Sequence, residues 1–323
     1  MPWKKFLVFA VSIALLFAIF FTTTYAQDKD KKAKSGDTDD HGRNIVIAQI
    51  SDTHIGLARA PEASENLRKV VEMVNQRNPD AVIVTGDIGE RESAWDEAKK
   101  IFAGLKPKVF YVPGNHDVSA NSPERLAAWR KDFGNDYYEA HIKGATIIAL
   151  NGQLMGNYDN FDQKKASPLR AEAKPETERM LGWLEKDGGK DESAKKYGGA
   201  ESERPQRMDD DGHGKLIFAM QHEPIDRASD FPTDGKDYWT IQEPYRSREI
   251  ELLHRLGVKH MFVGHWHKGE VFSAHDITEH VAPATSWSGT GDKLGFAMHT
   301  ITPDGDVKTE FVYLEGADPH AAN

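Results

Sequence analysis

The 323-residue chain contains no cysteine. That absence excludes a disulfide framework, a thiolate metal site and a lipid-anchored lipoprotein, so any bound metal must be held by His, Asp, Glu, Asn or backbone oxygen. Basic charge is also scarce. The formal net charge is -10 and no basic stripe is present, which argues against wrapping of nucleic acid. Long apolar runs are nearly absent too. The one at 6–21, "FLVFAVSIALLFAIFF", is short of the roughly 20 residues a comfortable membrane span needs. It follows the two lysines of "MPWKK" and precedes Thr24 and Ala26, small residues where a signal peptidase cuts. Residues 1–26 therefore read as a signal peptide cleaved before Gln27, with a secreted or periplasmic location expected. Left uncleaved, the same segment is an N-terminal membrane anchor, and only then is a membrane a partner.

What is present is enough apolar material for one sizeable core: 39% hydrophobic residues, with seven Trp and fifteen Phe. Residues 27–43 are almost wholly polar and read as a disordered linker. The folded part is expected over 44–316, followed by a tail at 317–323. It opens with "NIVIAQI" (44–50), then a helix with Leu67, Val70, Val71 and Val74 on one face, then "AVIVTG" (81–86). A second helix (90–105) and "VFYVPG" (109–114) follow. Strands alternating with helices predict βαβ units and an α/β sheet. Further buried strands are expected at 145–150, 215–220 and 259–263, with helices around Glu176–Glu185 and ending at Gly257. The stretch 186–214 is too long and too charged for an ordinary connection and reads as a mobile surface insertion. "PDGD" in the C-terminal segment signals a hairpin turn.

Five of these strands end in ligand-type side chains. They run into "SDTH" (Asp52, His54), "GDI" (Asp87), "GNHD" (Asn115, His116, Asp117), "QHEP" (His222) and "GHWH" (His265, His267). Taken alone, the H-x-H of 265–267 fits a surface turn as well as a metal site. Ligands in open α/β sheets bind at the carboxyl ends of strands, so parallel neighbours would bring all these groups to one crevice. Extended backbone would aim Asp52 with His54, and His265 with His267, the same way, and would turn Trp266 aside. Seven oxygen and nitrogen donors without sulfur are too many for one transition metal and suit two that share a carboxylate. Asp87 is the natural bridge, and Gly86 and Gly114 allow close backbone approach. Mixed imidazole and carboxylate ligands favour Mn, Fe or Zn over Mg or Ca. The other nine histidines, among them His260, His280 and His299, read as structural or exposed.

The ordered set D-x-H, GD, GNHD, H, GH-x-H over 52–267 resembles the calcineurin-like metallophosphoesterase superfamily. The resemblance implies a single-domain, four-layer α/β/β/α sandwich and two divalent or trivalent metal ions. One would be held by Asp52, His54, Asp87 and His267, the other by Asp87, Asn115, His222 and His265. His116 would be the catalytic histidine, with Asp117 supporting its loop. The implied activity is hydrolysis of phosphate monoesters by a metal-bridging hydroxide, with phosphodiesterase action or a silent scaffold as alternatives. The substrate would be a phosphorylated small molecule or a phosphoprotein. Purple acid phosphatases carry a tyrosine three residues after the bridging aspartate; Glu90 stands there, so no tyrosinate colour is expected. The D-x-H motif is similar to the cyclic-nucleotide phosphodiesterase branch. "LNGQL", "MQHEP" and "DYWTIQEPYR" look more like the group typified by calcineurin-like phosphoesterase domain-containing protein 1. The loop after His222, with Phe231, Tyr238, Trp239 and Tyr245, is the best-placed segment for substrate recognition.

Overall fold

Two facing sheets divide the strands read from the sequence. In the computed structural model, residues 43–118, 122–158, 169–186, 216–227 and 237–320 are described, all within the unit His41–Asn323. The expected signal peptide, nearly all of the linker and insertion, the end of the tail and Phe231 lie outside the described residues. The first sheet contains β1 (Ile45–Ile50), β2 (Ala81–Thr85), β3 (Lys108–Val112), β10 (Gly295–Ile301) and β11 (Val307–Tyr313), in the order β11-β10-β1-β2-β3. β1, β2 and β3 are parallel neighbours, and β10 returns antiparallel beside β1. The second sheet contains β4 (Tyr138–Ile142), β5 (Ala145–Ala149), β6 (Leu216–Met220), β7 (His260–Val263), β8 (Glu270–Ala274) and β9 (Ile277–Val281), ordered β4-β5-β6-β7-β9-β8. β5, β6 and β7 are parallel neighbours.

The central strands are buried on both faces, and successive side chains alternate between two cores, which explains the layers. Ile47 and Ile83 face Phe218, Met220 and Phe262 between the sheets. Their strand neighbours Ala48, Val82 and Val84 point outward beneath α1 (Ala63–Arg77) and α2 (Glu92–Phe102). α1 buries Leu67, Val70, Val71 and Val74, the face its spacing predicts. After the one-turn α3 (Asn115–Val118), α4 (Pro123–Phe133) adds Leu126 and Trp129 to this layer. On the far side α5 (Lys174–Glu185) and α6 (Tyr245–Leu256) cover Ile148, Met261 and Val263 with Met180, Leu181, Leu252 and Leu253. The result is helix, sheet, sheet, helix. α6 ends at Gly257, whose φ of 81° is a left-handed cap that glycine adopts without a Cβ clash.

One polar thread crosses the apolar seam. Gln49 Nε2 donates to Val263 O (2.9 Å) and to Thr85 Oγ1 (3.0 Å), tying β1 to β7 and β2. His299 Nε2 lies 2.9 Å from Gln49 Oε1, and the Oγ1 of Thr309 lies between His299 Nδ1 (2.9 Å) and His280 Nδ1 (2.7 Å). His260 Nδ1 completes the thread, 3.1 Å from His280 Nε2.

Candidate metal centre and active site

The polar strand ends meet at one edge of the seam, three from the first sheet and two from the second. Just past its last ladder bond each chain leaves the extended conformation. Asp52 (φ 53°), His54 (φ 40°), Asp87 (φ 53°), His265 (φ 67°) and His267 (φ 55°) all adopt left-handed backbone. The expected strand-like alternation at 52–54 and 265–267 is therefore incorrect. Tight turns aim these side chains, at a cost of roughly 1–2 kcal/mol per residue. Backbone bonds across the strand ends hold the turns: Asp52 N to Gly86 O (3.1 Å), His54 N to Asp87 O (2.9 Å) and Gly264 N to His222 O (2.8 Å). Two glycines permit the approach. A Cβ on Gly114 would lie 2.2 Å from Asp87 Oδ1, and one on Gly86 2.6 Å from His222 Nδ1.

The donor atoms form two groups that share Asp87. Asp52, His54, Asp87 and His267 have ligand atoms within 4.8 Å of one another, as do Asp87, His222 and His265. Asn115 is buried beside the second group; its Nδ2 donates to Tyr238 Oη (3.2 Å) and its Oδ1 has no partner. His116 N–H donates to Asp87 Oδ1 (2.9 Å), setting the loop that carries both residues.

Each of the four imidazoles has its outer nitrogen fixed by a group that can only accept. His54 Nδ1 donates to Glu90 (2.7 Å), His222 Nδ1 to Thr85 O (2.6 Å), His265 Nε2 to Tyr238 O (2.9 Å) and His267 Nδ1 to Trp287 O (2.8 Å). The inner nitrogens therefore carry lone pairs, and they face one another. His54 Nε2 lies 3.1 Å from His267 Nε2, and His265 Nδ1 lies 3.3 Å from His222 Nε2. Asp87 Oδ2 is 3.2 Å from His222 Nε2, and Asp52 Oδ1 is 3.2 Å from His267 Nε2. Asp52 Oδ1, like Asn115 Oδ1, is buried without a hydrogen-bond donor. Buried lone pairs and carboxylates that face one another suit cations, and outer N–H bonds of this kind are how proteins orient metal-ligating histidines. The seven residues fit a metal centre. Without cations only protons can serve: burial disfavours a charged His222, but Asp87 and Asp52 outweigh it and raise its proton affinity.

Glu90 is the residue the sequence reading passed over, treating it only as a missing tyrosine. Its two oxygens join the candidate metal-ligand histidine to the catalytic candidate: His54 Nδ1 at 2.7 Å and His116 Nδ1 at 3.0 Å. Burial would raise the Glu90 carboxyl, but bonds from His116 and His54 prevail and bring it to about 2. His116 is pushed up to about 9, because Asp87 and Glu90 outweigh the effect of burial. Its place three residues beyond Asp87 was the available signal. Asp117 points away from the cleft. It accepts from Ile88 N, Gly89 N, Gly114 N and Trp95 Nε1, all at 3.0–3.2 Å, so it braces the loop. Arg125 grips the same loop through the carbonyls of His116 (2.6 Å) and Asp117 (2.8 Å).

A cleft of about 560 Å³ opens on this centre, lined by Arg59, Glu90, His116, Tyr158, Tyr238 and Trp287 among others. Tyr238, from the loop after His222, faces His265 with ring centroids 4.7 Å apart. Trp266 takes no part: it is buried, stacks on Phe272 at 5.2 Å and donates to Trp239 O at 2.8 Å.

A two-sheet sandwich with a cleft over buried imidazoles and carboxylates defines a metal-dependent hydrolase. The calcineurin-like phosphoesterase family model matches residues 45–269, and the chain belongs to that family. It is 23% identical over 308 residues to a serine/threonine-protein phosphatase CPPED1 from Danio rerio, covering 86% of this chain and 87% of the relative. It is 24% identical over 275 residues to a probable cyclic nucleotide phosphodiesterase from Fibrobacter succinogenes, covering 80% and 87%. Among solved structures, a dimetal phosphatase from Danio rerio aligns with 84% of this chain and 99% of its own, with a TM-score of 0.50 and 13% identity. The chain is thus a metal-dependent phosphoesterase, similar in sequence to the CPPED1 phosphatases.

Proposed function

We propose that the protein holds two metal ions, Mn, Fe or Zn, and hydrolyses phosphate monoesters. The observation that carries this reading is the convergence of four anchored imidazole lone pairs on Asp52 and Asp87 without a donor between them. Asp52, His54, Asp87 and His267 would hold one ion, and Asp87, Asn115, His222 and His265 the other. Bound there, the ions supply the positive charge that polarises a phosphoryl group and acidifies a water. The remaining steps fall to the chain itself. His116 has 35% of its side chain exposed, lines the cleft and keeps its proton at neutral pH through Glu90 and Asp87. With Nδ1 committed to Glu90, its Nε2–H is free to donate to the leaving oxygen, as general acid. Asp117 and Arg125 hold that histidine's backbone still.

Monoester action is favoured by the similarity to the named serine/threonine phosphatase, and a phosphoprotein or a phosphorylated small molecule is the proposed substrate. The similarity to a named cyclic nucleotide phosphodiesterase supports the second reading, diester hydrolysis. A silent scaffold would lack a ligand or the histidine, and every such position is filled. The test is a hydrolysis screen of Mn-, Fe- and Zn-reconstituted protein against matched monoesters, diesters and cyclic nucleotides. Turnover confined to diesters sinks the monoester reading. We also propose that residues 1–26 are removed on export. N-terminal sequencing should find Gln27 first; an intact Met1 in a membrane fraction would favour an anchor.

A further inference from the structure

Among the described residues, the cleft holds one cation that the chemistry above does not use. Arg125 is engaged by the carbonyls of His116 and Asp117, and the negative charge of Glu90 is answered by two histidines. Arg59 is different. Among the described residues it meets no carboxylate and no carbonyl; its guanidinium lies over the Trp287 ring, 4.6 Å from the centroid. An exposed arginine is usually mobile, but this one is built in. Its loop is drawn tight by consecutive turns, Leu57 N to His54 O and Ala60 N to Leu57 O, both 3.0 Å. The indole beneath it is fixed in turn. Trp287 O accepts from the metal-ligand candidate His267 (2.8 Å), and the rings of those two residues are 4.8 Å apart. Neighbouring Ser286 Oγ donates to Asp52 O (2.8 Å). A guanidinium lying over an aromatic face can keep its forked donors open for a carboxylate or a phosphate.

Position decides which anion. Arg59 contacts the indole, not the imidazoles, so it stands one ring further out than the groups that would hold a reacting phosphoryl. It shares the cleft with His116, the group assigned to the departing oxygen. The cleft volume of about 560 Å³ falls within the ~300–1,000 Å³ of small-molecule sites, and so has room for more than a phosphoryl group.

We infer that Arg59, held on Trp287, receives a second anionic group on the leaving-group portion of the substrate, so that the enzyme prefers phosphoesters whose alcohol carries a carboxylate or another phosphate. This rests on the phosphoesterase reading of the same cleft. The test uses the full metal-reconstituted protein and three probes: phenyl phosphate, 4-carboxyphenyl phosphate and 1,4-phenylene bisphosphate. Wild type should favour one or both probes with a second anionic group in kcat/KM, mainly through KM; which one identifies the second group as carboxylate or phosphate. In Arg59→Ala that preference ratio should fall about 10–100-fold, as expected for lost charged hydrogen bonds. Arg59→Lys should recover part of it, keeping the charge without the fork. Calorimetric binding of benzylphosphonate against 4-carboxybenzylphosphonate, and of the corresponding bisphosphonate, repeats the comparison without turnover. An absence of hydrolysis with an intact binding preference would therefore overturn the reaction and leave the anion receptor standing. No preference in wild type, or equal losses on all probes in Arg59→Ala, overturns the inference.

Discussion

Two groups of histidines lie in the same sandwich and have opposite fates. At the strand ends, His54, His222, His265 and His267 each donate outward, and their inner nitrogens face carboxylates and one another. In the seam, His260, His280 and His299 form a thread in which both nitrogens of His280 and of His299 have hydrogen-bond partners. Its direction follows from one atom. Val263 O only accepts, so the Gln49 amide must turn its Nε2 toward it and its Oε1 toward His299. His299 then donates from Nε2 and accepts from Thr309, Thr309 accepts from His280, and His280 accepts from His260. Burial disfavours a charge on all three rings, and no carboxylate joins the thread. Counting histidines does not find a metal centre; unanswered lone pairs beside carboxylates do.

That contrast can be broken at either end, and the largest effect is expected at Asp87. It belongs to both ligand groups, so Asp87→Ala should strip both ions and abolish turnover. Elemental analysis showing two ions kept at wild-type affinity would refute the shared carboxylate. His116→Ala comes next. It should retain both ions and lose about 10²–10⁴-fold in kcat/KM on an alkyl phosphate. The loss should be far smaller on a nitrophenyl ester, whose leaving group needs no proton; equal losses on both would reassign His116 to positioning. Glu90→Gln should cost about 10–100-fold in metal affinity or activity, the usual size of such supporting contacts. Glu90 raises the His116 pKa, so its loss should move the basic limb of the pH–rate profile to lower pH; an unmoved limb would separate the two residues.

The smallest effect belongs to the seam. Burial lowers His280 from 6.5 to about 3 and takes His299 well below its ordinary value. Above pH 6.5 both are neutral whether folded or unfolded, and stability does not depend on them. Below it the unfolded chain binds protons that the folded one refuses, so stability falls with pH down to the folded values, by about 1.4 kcal/mol per unit for each ring. Urea unfolding of His280→Gln between pH 7 and 5 should show a slope flatter by that amount. An unchanged slope would mean that His280 is charged in the fold.

Much of this was legible in the residues. Short β-branched runs ending in D-x-H, GD and GNHD gave β1, β2 and β3 and their parallel pairing, and the spacing of Leu67 to Val74 gave the buried face of α1. What escaped was whatever depends on the partner element. α4 fully buries Leu126 and Trp129 and packs Ala128 and Phe133 beside them at half-burial, a weak apolar stripe in a short, charged helix. β4 and β8 are half-buried strands whose residues read as ordinary polar surface. Glu90 and Arg59 lie in short connections, where no periodicity speaks and only the folded neighbours, His54 and Trp287, reveal a role. The left-handed turns at five candidate ligand positions escaped too: Asp and His enter that backbone more readily than most residues, but only the bonds across the strand ends decide where.

The distribution of the ligands over two sheets has a consequence for assembly in time. His54 and His267 are separated by 213 positions, yet their nitrogens are 3.1 Å apart. The first sheet can contribute Asp52, His54, Asp87 and Asn115 as soon as β1 to β3 have paired, but neither ligand group closes until the loops after β6 and β7 arrive. Contacts so distant in sequence form late, because the intervening chain must first be ordered. On the proposed assignment, metal capture would have to follow the meeting of the two halves, and a bound ion would mark a chain in which they have already met.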